Sequence, residues 1–233
     1  MKSFSCFVAG TDTEIGKTLV SSALLHLLGQ QGVRAAGMKP VAAGAELRAG
    51  VWHNEDVDAI AVAAPLKLPS TLTTPYLLRT PAAPHIAAAL DGVTIEPNKI
   101  LYCYAQVRQQ AEAVVVEGVG GFRVPLTDNY DTADLARDLK LPVLLVVGLR
   151  LGCISQALLT AEAIAARGLT LAGWVANTVD PAMGYLAENI EAIAARIGAP
   201  LLGHVPRLDH PTTAAAAACL NLSLLEEACS PKS

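Results

Sequence analysis

The chain alternates short runs of consecutive apolar residues with longer segments that have helical periodicity. The clearest apolar runs are AVVVEG at 113–118, LPVLLVVG at 141–148 and LAGWVANTV at 171–179. Strands that are apolar at successive positions are buried on both faces, as in a parallel sheet that is covered by helices. Helical patterns between and after these runs lie at 132–139, 155–167 and 185–197. This order predicts an α/β fold with a mostly parallel central sheet and helices on both faces.

Three weaker runs extend the predicted sheet, namely SCFVAG at 5–10, VRAAGMKP at 33–40 and APLLGHVP at 199–206. The least regular region, residues 42–84, predicts functional loops on the same domain rather than a linker. Because 52% of the residues are hydrophobic, the chain can bury a large core. We therefore predict one domain over residues 1–233, in which residues 229–233 form a frayed tail.

Charge and cysteine content exclude several classes of protein. The formal net charge is −4 and no basic run is present, which argues against a nucleic-acid partner. The longest apolar run in mid-chain is far shorter than the roughly 20 residues of a membrane span, so we expect no membrane partner. The five cysteines are scattered and form no Cys-x-x-Cys pair. That pattern predicts reduced thiols and a cytoplasmic location.

The loop that follows the first predicted strand ends as a phosphate-binding loop does. The stretch is FVAGTDTEIGKT at 7–18, and Thr11 stands where the pattern G-x-x-x-x-G-K-[ST] has its first glycine. A strand before the loop and an amphipathic helix after it favour phosphate binding over a chance Gly-Lys-Thr. Gly16 would let the backbone approach phosphates, Lys17 would place a cation there and the Thr18 hydroxyl would hold Mg²⁺.

Charged residues follow two further strands. Lys39 ends the second strand, where it is either solvated or able to reach phosphates or an anionic substrate. Glu117 ends an apolar strand, as the second acidic group near Mg²⁺ does in P-loop proteins, although aspartate is usual there. The alternative is that Glu117 is an ordinary surface residue where the strand ends. The glycines of the following Gly-Val-Gly-Gly favour function, because clustered glycines indicate close approach to a ligand.

Other candidates have structural explanations that are as strong as a functional one, or stronger. In HNEDVDA at 53–59, Asn54 fits a helix N-cap and the acids after it fit a first helical turn, so capping explains them all. The segment 152–155 is best interpreted as an ordinary capped helix beginning at Ser155, and a second backbone anion site is the alternative. Asn177 could recognise an adenine edge or start a turn. His85 and His204 lack metal-ligand spacing and are interpreted as structural or surface residues.

Taken together, the motifs resemble the dethiobiotin synthetase family of the P-loop NTPase superfamily. The resemblance covers nearly the whole chain. It rests on GTDTEIGKT, MKPVAAG, NEDVDA, PAAPHIAA, VVVEGVGG, LPVLLVVGLRLGCIS and LAGWVANTVDP. The first motif is the most specific, because the loop of that family begins with threonine where other phosphate loops have glycine.

The resemblance implies a ligase, specifically a cyclo-ligase of biotin synthesis that uses ATP and Mg²⁺. In that family, CO₂ or bicarbonate supplies a carbamate on one amine of 7,8-diaminopelargonate. ATP phosphorylates the carbamate to a carbamic-phosphoric anhydride. The neighbouring amine then closes the ring to dethiobiotin, and ADP and phosphate are released. The family forms homodimers, with the substrate near the subunit interface.

Site residues follow from the matched motifs. Lys17 and Lys39 would be catalytic, and Thr18, Asp56 and Glu117 would hold Mg²⁺, so the resemblance selects Asp56 from the acidic patch. The implied ATP-binding residues are Thr13, Glu14, Ile15, Gly16, Lys17, Thr18, Asp56, Glu117, Gly118, Val119, Gly120, Asn177, Thr178, Pro206 and Arg207. The implied substrate-binding residues are Thr13, Lys39, Ala43, Gly120, Gly152, Cys153 and Ser155.

The chain departs from the family pattern at three positions. Family members often have serine at the position of Ala43, asparagine at that of Ser155 and tyrosine at that of Asn189. These changes concern the diamine contacts. The alternative function is a nucleotide-switch ATPase of the MinD/ParA type, which shares the fold. Such proteins carry a second lysine at the position of Asp12, a charge that this chain cannot supply there.

Overall fold

A computed structural model of the chain describes residues 4–229, with side chains up to Leu225. The strands are β1 (Cys6–Gly10), β2 (Ala35–Met38), β3 (Val41–Ala42), β4 (Glu46–Arg48), β5 (Val51–His53), β6 (Tyr76–Leu77), β7 (Ala113–Glu117), β8 (Pro125–Thr127), β9 (Tyr130–Asp131), β10 (Val143–Leu149), β11 (Leu171–Thr178) and β12 (Leu201–Val205). The helices are α1 (Lys17–Gln30), α2 (Glu55–Ala63), α3 (Ser70–Thr73), α4 (Pro84–Asp91), α5 (Pro97–Gln110), α6 (Thr132–Leu139), α7 (Cys153–Ala166), α8 (Leu186–Ile197), α9 (Thr213–Ala217) and α10 (Leu222–Cys229).

The central sheet has six strands in the order β12-β11-β10-β1-β7-β2. Every neighbouring pair is parallel. All six strands were predicted from apolar runs, including the weakest, at 199–206. Because the strands are parallel, the residues that follow β1, β2, β7, β10, β11 and β12 gather at one edge of the sheet, where ligands bind in open α/β folds.

Helices cover both faces of the sheet, as predicted. One apolar cluster packs the sheet against α4 to α8, and a second packs it against α1, α2, α9 and α10. Alternate residues of β10 enter opposite clusters, since Leu145 and Val147 belong to the first and Leu144 and Val146 to the second. This alternation explains why the strand is apolar at every position.

The region 42–84 contains more regular structure than the sequence predicted. It holds the hairpin β4–β5, the parallel pair β3–β6 and the helices α2 and α3. The helix after Asn54 is confirmed, since the Asn54 side chain accepts a hydrogen bond from Val57 N. The helices α4 and α5, each beginning at a proline, were not predicted.

The predicted single domain over 1–233 and the predicted frayed tail at 229–233 both include residues beyond those that the structure describes. They stay predictions, because the last described residue is Cys229, which ends α10. Within the described part, no helix is both long enough and apolar enough to cross a membrane. Cys103, Cys153 and Cys219 are free thiols.

A segment that follows α9 pairs with the outer strand β12 and covers its free edge. Gly203 forms an isolated antiparallel bridge with Leu220, and Asn221 N donates to Leu202 O at 2.7 Å. A Cβ on Gly203 would lie only 1.9 Å from the carbonyl oxygen of Cys219. Glycine is therefore required for this backbone to cover the exposed edge of the sheet.

We expect Gly203→Ala to lower the free energy of unfolding by about 1–3 kcal/mol, because a methyl group would force the covering segment away from β12. The measurement is urea unfolding followed by circular dichroism. Gly184→Ala is the control, since no atom lies within 4 Å of a Cβ there and the position has no positive φ. Equal stability of both variants would contradict the prediction.

Candidate active site

The loop between β1 and α1 needs glycine at its last position. Gly16 has φ +88°, and a Cβ there would lie 2.2 Å from Asn177 Nδ2. Asn177 Nδ2 also donates to Ile15 O at 2.8 Å, so β11 supports the loop from the side. Glu14, a residue with a side chain, likewise adopts a left-handed φ of 57°. The loop is thus held in a backbone conformation that an unsupported chain would rarely keep.

Thr11, which replaces the usual first glycine, is attached to β10. Its N–H donates to Val146 O at 3.1 Å, and its hydroxyl accepts from Gly148 N at 3.4 Å. A glycine could make the first contact but not the second. The unusual residue therefore ties the start of the loop to the neighbouring strand of the sheet.

The Lys17 side chain is buried at the N-terminus of α1. Its Nζ donates to the carbonyl oxygen of Asp12 at 2.7 Å. Burial, with the charge of Lys39 as the second cause, lowers the pKa of Lys17 to about 8. An anion bound at this helix N-terminus would stabilise the charged form of this lysine.

Lys39, Asp56, Glu117 and Thr18 form one cluster. Lys39 Nζ lies 2.5 Å from Glu117 Oε1 and 2.9 Å from Asp56 Oδ2. The Thr18 hydroxyl lies 2.6 Å from Asp56 Oδ1 and 2.9 Å from Glu117 Oε1. Because one hydroxyl hydrogen serves one acceptor at a time, Thr18 can donate to either of these two carboxylates but not to both.

The sheet order brings these four side chains together. Lys39 is the first residue after β2 and Glu117 the last residue of β7, and these strands are neighbours. Thr18 stands in the first turn of α1, which follows β1 on the other side of β7. Asp56 stands in the first turn of α2, whose Ile60 packs against the sheet beside Gly37.

Opposite charges within the cluster stabilise the ionised forms of Lys39 and Asp56. Burial acts to lower the pKa of Lys39, but the charges of Glu117 and Asp56 outweigh it, and the pKa is raised. Burial acts to raise the pKa of Asp56, whereas the charge of Lys39 and the hydrogen bond from Thr18 lower it below its ordinary value. Lys39 and Asp56 are therefore both ionised at neutral pH.

The oxygens of Thr18, Asp56 and Glu117 could hold a divalent cation. Mg²⁺ in nucleotide sites is bound by one or two carboxylates together with waters and substrate phosphates. Glu117 Oε2 is buried with no hydrogen-bond partner, which is the kind of acceptor that a cation satisfies. Residues 4–229 contain no cluster of three or more His, Cys, Asp or Glu side chains with metal-binding geometry. Two carboxylates and one hydroxyl therefore fit a Mg²⁺ ion whose remaining ligands are waters and nucleotide phosphates.

A cavity of about 910 Å³ opens above the cluster. The predicted residues that line it are Thr13, Glu14, Ile15, Gly16, Lys17, Thr18, Lys39, Ala43, Asp56, Val119 and Gly120. Glu117 and Gly118 lie behind this surface, where Gly118 O accepts from Lys39 Nζ at 3.3 Å. One space therefore borders the phosphate loop, both lysines and the loop after β7.

Other predicted residues lie outside the lining of this cavity. Thr178 Oγ1 is 2.8 Å from His204 Nε2, which gives His204 a structural contact as predicted. Pro206 and Arg207 follow β12, at the same edge of the sheet as the phosphate loop.

The segment 152–155 also lies apart from the cavity lining. The helix α7 begins at Cys153, not at Ser155 as predicted, because Gly152 turns the chain at φ 95°. The Cys153 side chain is fully buried, with Sγ 3.9 Å from Asn189 Oδ1. Cys153 N already donates to Arg150 O, so one of the backbone donors expected at this helix start is used within the chain.

The sequence did not reveal the hairpin β4–β5, whose residues Glu46, Arg48 and His53 line the cavity. Its turn has positive φ at both Ala49 and Gly50. Hairpin turns of this kind favour Asn-Gly or Gly-Gly, and alanine at the first position concealed the signal. An ion pair between Asp12 and Arg150 was missed as well.

A loop bounded by glycines leads from β1 into a helix that starts with Lys17 and Thr18, and it lies at the edge of a parallel sheet. This arrangement defines a P-loop nucleotide-binding protein.

A family model described as an AAA domain matches residues 5–215. The chain is 64% identical over 226 residues to the ATP-dependent dethiobiotin synthetase BioD of Janthinobacterium sp. (strain Marseille), covering 95% of this chain and 96% of that protein. It is 61% identical to the protein of the same name from Aromatoleum aromaticum, over 93% and 96% of the two chains. The chain belongs to the ATP-dependent dethiobiotin synthetase family.

Solved structures agree on the fold. A ParA family ATPase from Chlorobium tepidum TLS has a TM-score of 0.56 and 14% identity, over 99% of this chain and 95% of that chain. The MinC:MinD cell division protein complex of Aquifex aeolicus has a TM-score of 0.57 and 14% identity, over 97% of this chain and 90% of that chain. At this level of identity the likeness shows a common fold.

We expect Thr18→Val to remove most of the Mg²⁺ dependence of nucleotide binding, with ATP affinity in Mg²⁺ falling about 10–100-fold. Valine keeps the shape of the side chain and loses the oxygen that faces both carboxylates. Calorimetric titration with a non-hydrolysable ATP analogue, in Mg²⁺ and in EDTA, measures the effect. Ser22→Ala in the same helix is the control, since the buried Ser22 hydroxyl has no partner. An unchanged Mg²⁺ dependence in Thr18→Val would remove Thr18 from the metal site.

Proposed function

We propose that the chain catalyses the ATP- and Mg²⁺-dependent closure of the ureido ring of dethiobiotin from 7,8-diaminopelargonate and CO₂. The reaction runs through a carbamate and a carbamic-phosphoric anhydride and releases ADP and phosphate. The convergence of two lysines and two carboxylates beneath one cavity at the phosphate loop carries this proposal. The family to which the chain belongs supports it independently.

Residues Thr13 to Thr18 would bind the phosphates of ATP. Backbone N–H groups at the N-terminus of α1 favour an anion, and Lys17 adds a positive charge there. Gly118, Val119 and Gly120 would face the nucleotide from the loop after β7. Asn177, Thr178, Pro206 and Arg207 would contact the adenine, because β11 and β12 end at the same edge of the sheet.

Thr18, Asp56 and Glu117 would hold Mg²⁺. When bound, the ion would neutralise charge on the phosphate oxygens during phosphoryl transfer. The fold itself places these oxygens together, since Thr18 contacts both carboxylates. Such preorganisation lowers the reorganisation that the reaction needs.

Lys39 would stabilise the carbamate and its phosphorylated form. Its ammonium has three N–H donors, which face Asp56, Glu117 and the carbonyl of Gly118. The bond to Gly118 O is the longest, at 3.3 Å, so this donor is the one most easily turned toward an anionic substrate. The two carboxylates would keep the lysine charged while it does so.

The diamine would occupy the part of the cavity next to Thr13, Ala43 and Gly120. We further propose a homodimer in which Gly152, Cys153 and Ser155 of one subunit meet the carboxylate of the substrate held by the other. Their position away from the cavity of their own chain is compatible with that role. A cytoplasmic location accords with the free thiols of Cys103, Cys153 and Cys219.

The direct test is to incubate the protein with 7,8-diaminopelargonate, bicarbonate, Mg²⁺ and ATP and to detect dethiobiotin by mass spectrometry. We expect product, and ADP release that depends on the diamine. A nucleotide switch of the MinD/ParA type would instead hydrolyse ATP without the diamine. Hydrolysis of that kind with no dethiobiotin formed would overturn the proposal.

We expect Lys39→Ala to lower turnover at least about 100-fold, the usual cost of removing a preorganised charge that faces the transition state. The fold should survive with a loss of up to about 3 kcal/mol, because Asp56 is half-exposed and Glu117 keeps its contact with the Thr18 hydroxyl. Steady-state kinetics and circular dichroism measure the two effects. Lys67→Ala is the control, since Lys67 is exposed and bonds only backbone carbonyls of residues 61 and 62. Normal turnover in Lys39→Ala would exclude Lys39 from the mechanism.

A further inference from the structure

Asp12 contacts two groups of the phosphate loop and one residue that follows β10. Its Oδ2 forms an ion pair with Arg150, and its Oδ1 accepts from Thr13 N at 2.8 Å. Its carbonyl oxygen accepts from Lys17 Nζ at 2.7 Å. The orientation of this one residue therefore sets where both the Lys17 ammonium and the Thr13 peptide point.

Arg150 completes a row of contacts between β10 and the start of the loop. Thr11 bonds Val146 and Gly148, and Asp12 pairs with Arg150 two residues further along. Arg150 is the residue directly after β10, so the row of contacts continues past the end of the strand. It exists because β1 and β10 are adjacent strands, with Gly10 opposite Val146.

We propose that Arg150 is a positioning residue for the phosphate loop, which acts through Asp12 to hold the Lys17 ammonium and the Thr13 peptide in place for ATP. This role rests on the ATP binding proposed above for Thr13 to Thr18 and does not depend on the ring closure. Lys17 lies among opposing charges, since Lys39 repels its ammonium whereas Glu117 and Asp56 attract it. The hydrogen bond to the Asp12 carbonyl is the contact that directs the ammonium to the loop.

The loop conformation supports the same conclusion. Glu14 has a left-handed φ of 57°, a conformation that residues with a side chain keep only where neighbouring contacts enforce it. The contact between Asn177 and Ile15 O restrains the loop after Glu14, and the contact between Arg150 and Asp12 restrains it before Glu14. Removing one restraint should let the loop relax between the strand and the helix.

A contribution to global stability does not account for the pair. The side chains of Arg150 and Asp12 are 42% and 41% exposed, and ion pairs at such exposure add little to the free energy of unfolding. The effect of the pair should therefore be seen in nucleotide affinity and not in thermal stability. That difference separates a positioning role from a merely structural one.

The experiment is a double-mutant cycle on Arg150→Ala and Asp12→Asn, read by calorimetric titration with a non-hydrolysable ATP analogue in Mg²⁺. Asparagine keeps the acceptor for Thr13 N and removes the charge that pairs with Arg150. We expect each single variant to bind about tenfold more weakly, within the range for residues that share one hydrogen-bond network, and the double variant to be no worse. Arg150→Lys should recover most of the affinity, and melting temperatures should stay unchanged.

Arg137→Ala is the control, because Arg137 is similarly exposed and pairs with Asp134 and Asp138 of its own helix. Wild-type affinity in Arg150→Ala would overturn the inference. A full loss on replacing Arg150 in the Asp12→Asn background would also overturn it, because Arg150 would then contact the phosphates directly. Since titration needs no diamine, a failed dethiobiotin assay would leave this result standing.

Discussion

The ammonium of Lys39 is the charge on which the geometry of the site depends. Burying an unpaired ammonium costs several kcal/mol, and Lys39 is only 3% exposed. The charge is tolerated because Glu117 and Asp56 approach it from β7 and α2, while Thr18 of α1 contacts both acids. One buried cation thus joins the ends of two strands and the starts of two helices, so the site and the edge of the sheet share their stability.

Much of this arrangement could be predicted from the sequence, because it depends on local patterns. Apolar runs marked all six strands of the central sheet, and the residues directly after them included Lys39 and the phosphate loop. Glu117 could be predicted in the same way. Asp56 could not, since an acid in the first turn of a helix has a sufficient explanation in capping, and only the family resemblance distinguished it from its neighbours.

The other contacts of the site depend on which strands are adjacent in the sheet, and no local sequence pattern gives the order of the strands. Arg150 meets Asp12 only because β10 lies beside β1, although 138 residues separate the two side chains in sequence. The hairpin that brings Arg48 and His53 to the cavity was hidden for a different reason. Its alanine at a left-handed turn position is a residue that the usual turn preferences do not anticipate.

Lys17 and the three charged members of the Lys39 cluster balance in formal charge. Lys17 and Lys39 supply two positive charges, and Asp56 and Glu117 supply two negative ones. Because these four side chains carry no net charge, they cannot compensate the several negative charges of a polyphosphate. A nucleotide that enters with its own counter-ion leaves the balance nearly intact, whereas a bare one does not. Metal and nucleotide should therefore raise each other's affinity by the same factor, a reciprocity that follows from thermodynamic linkage.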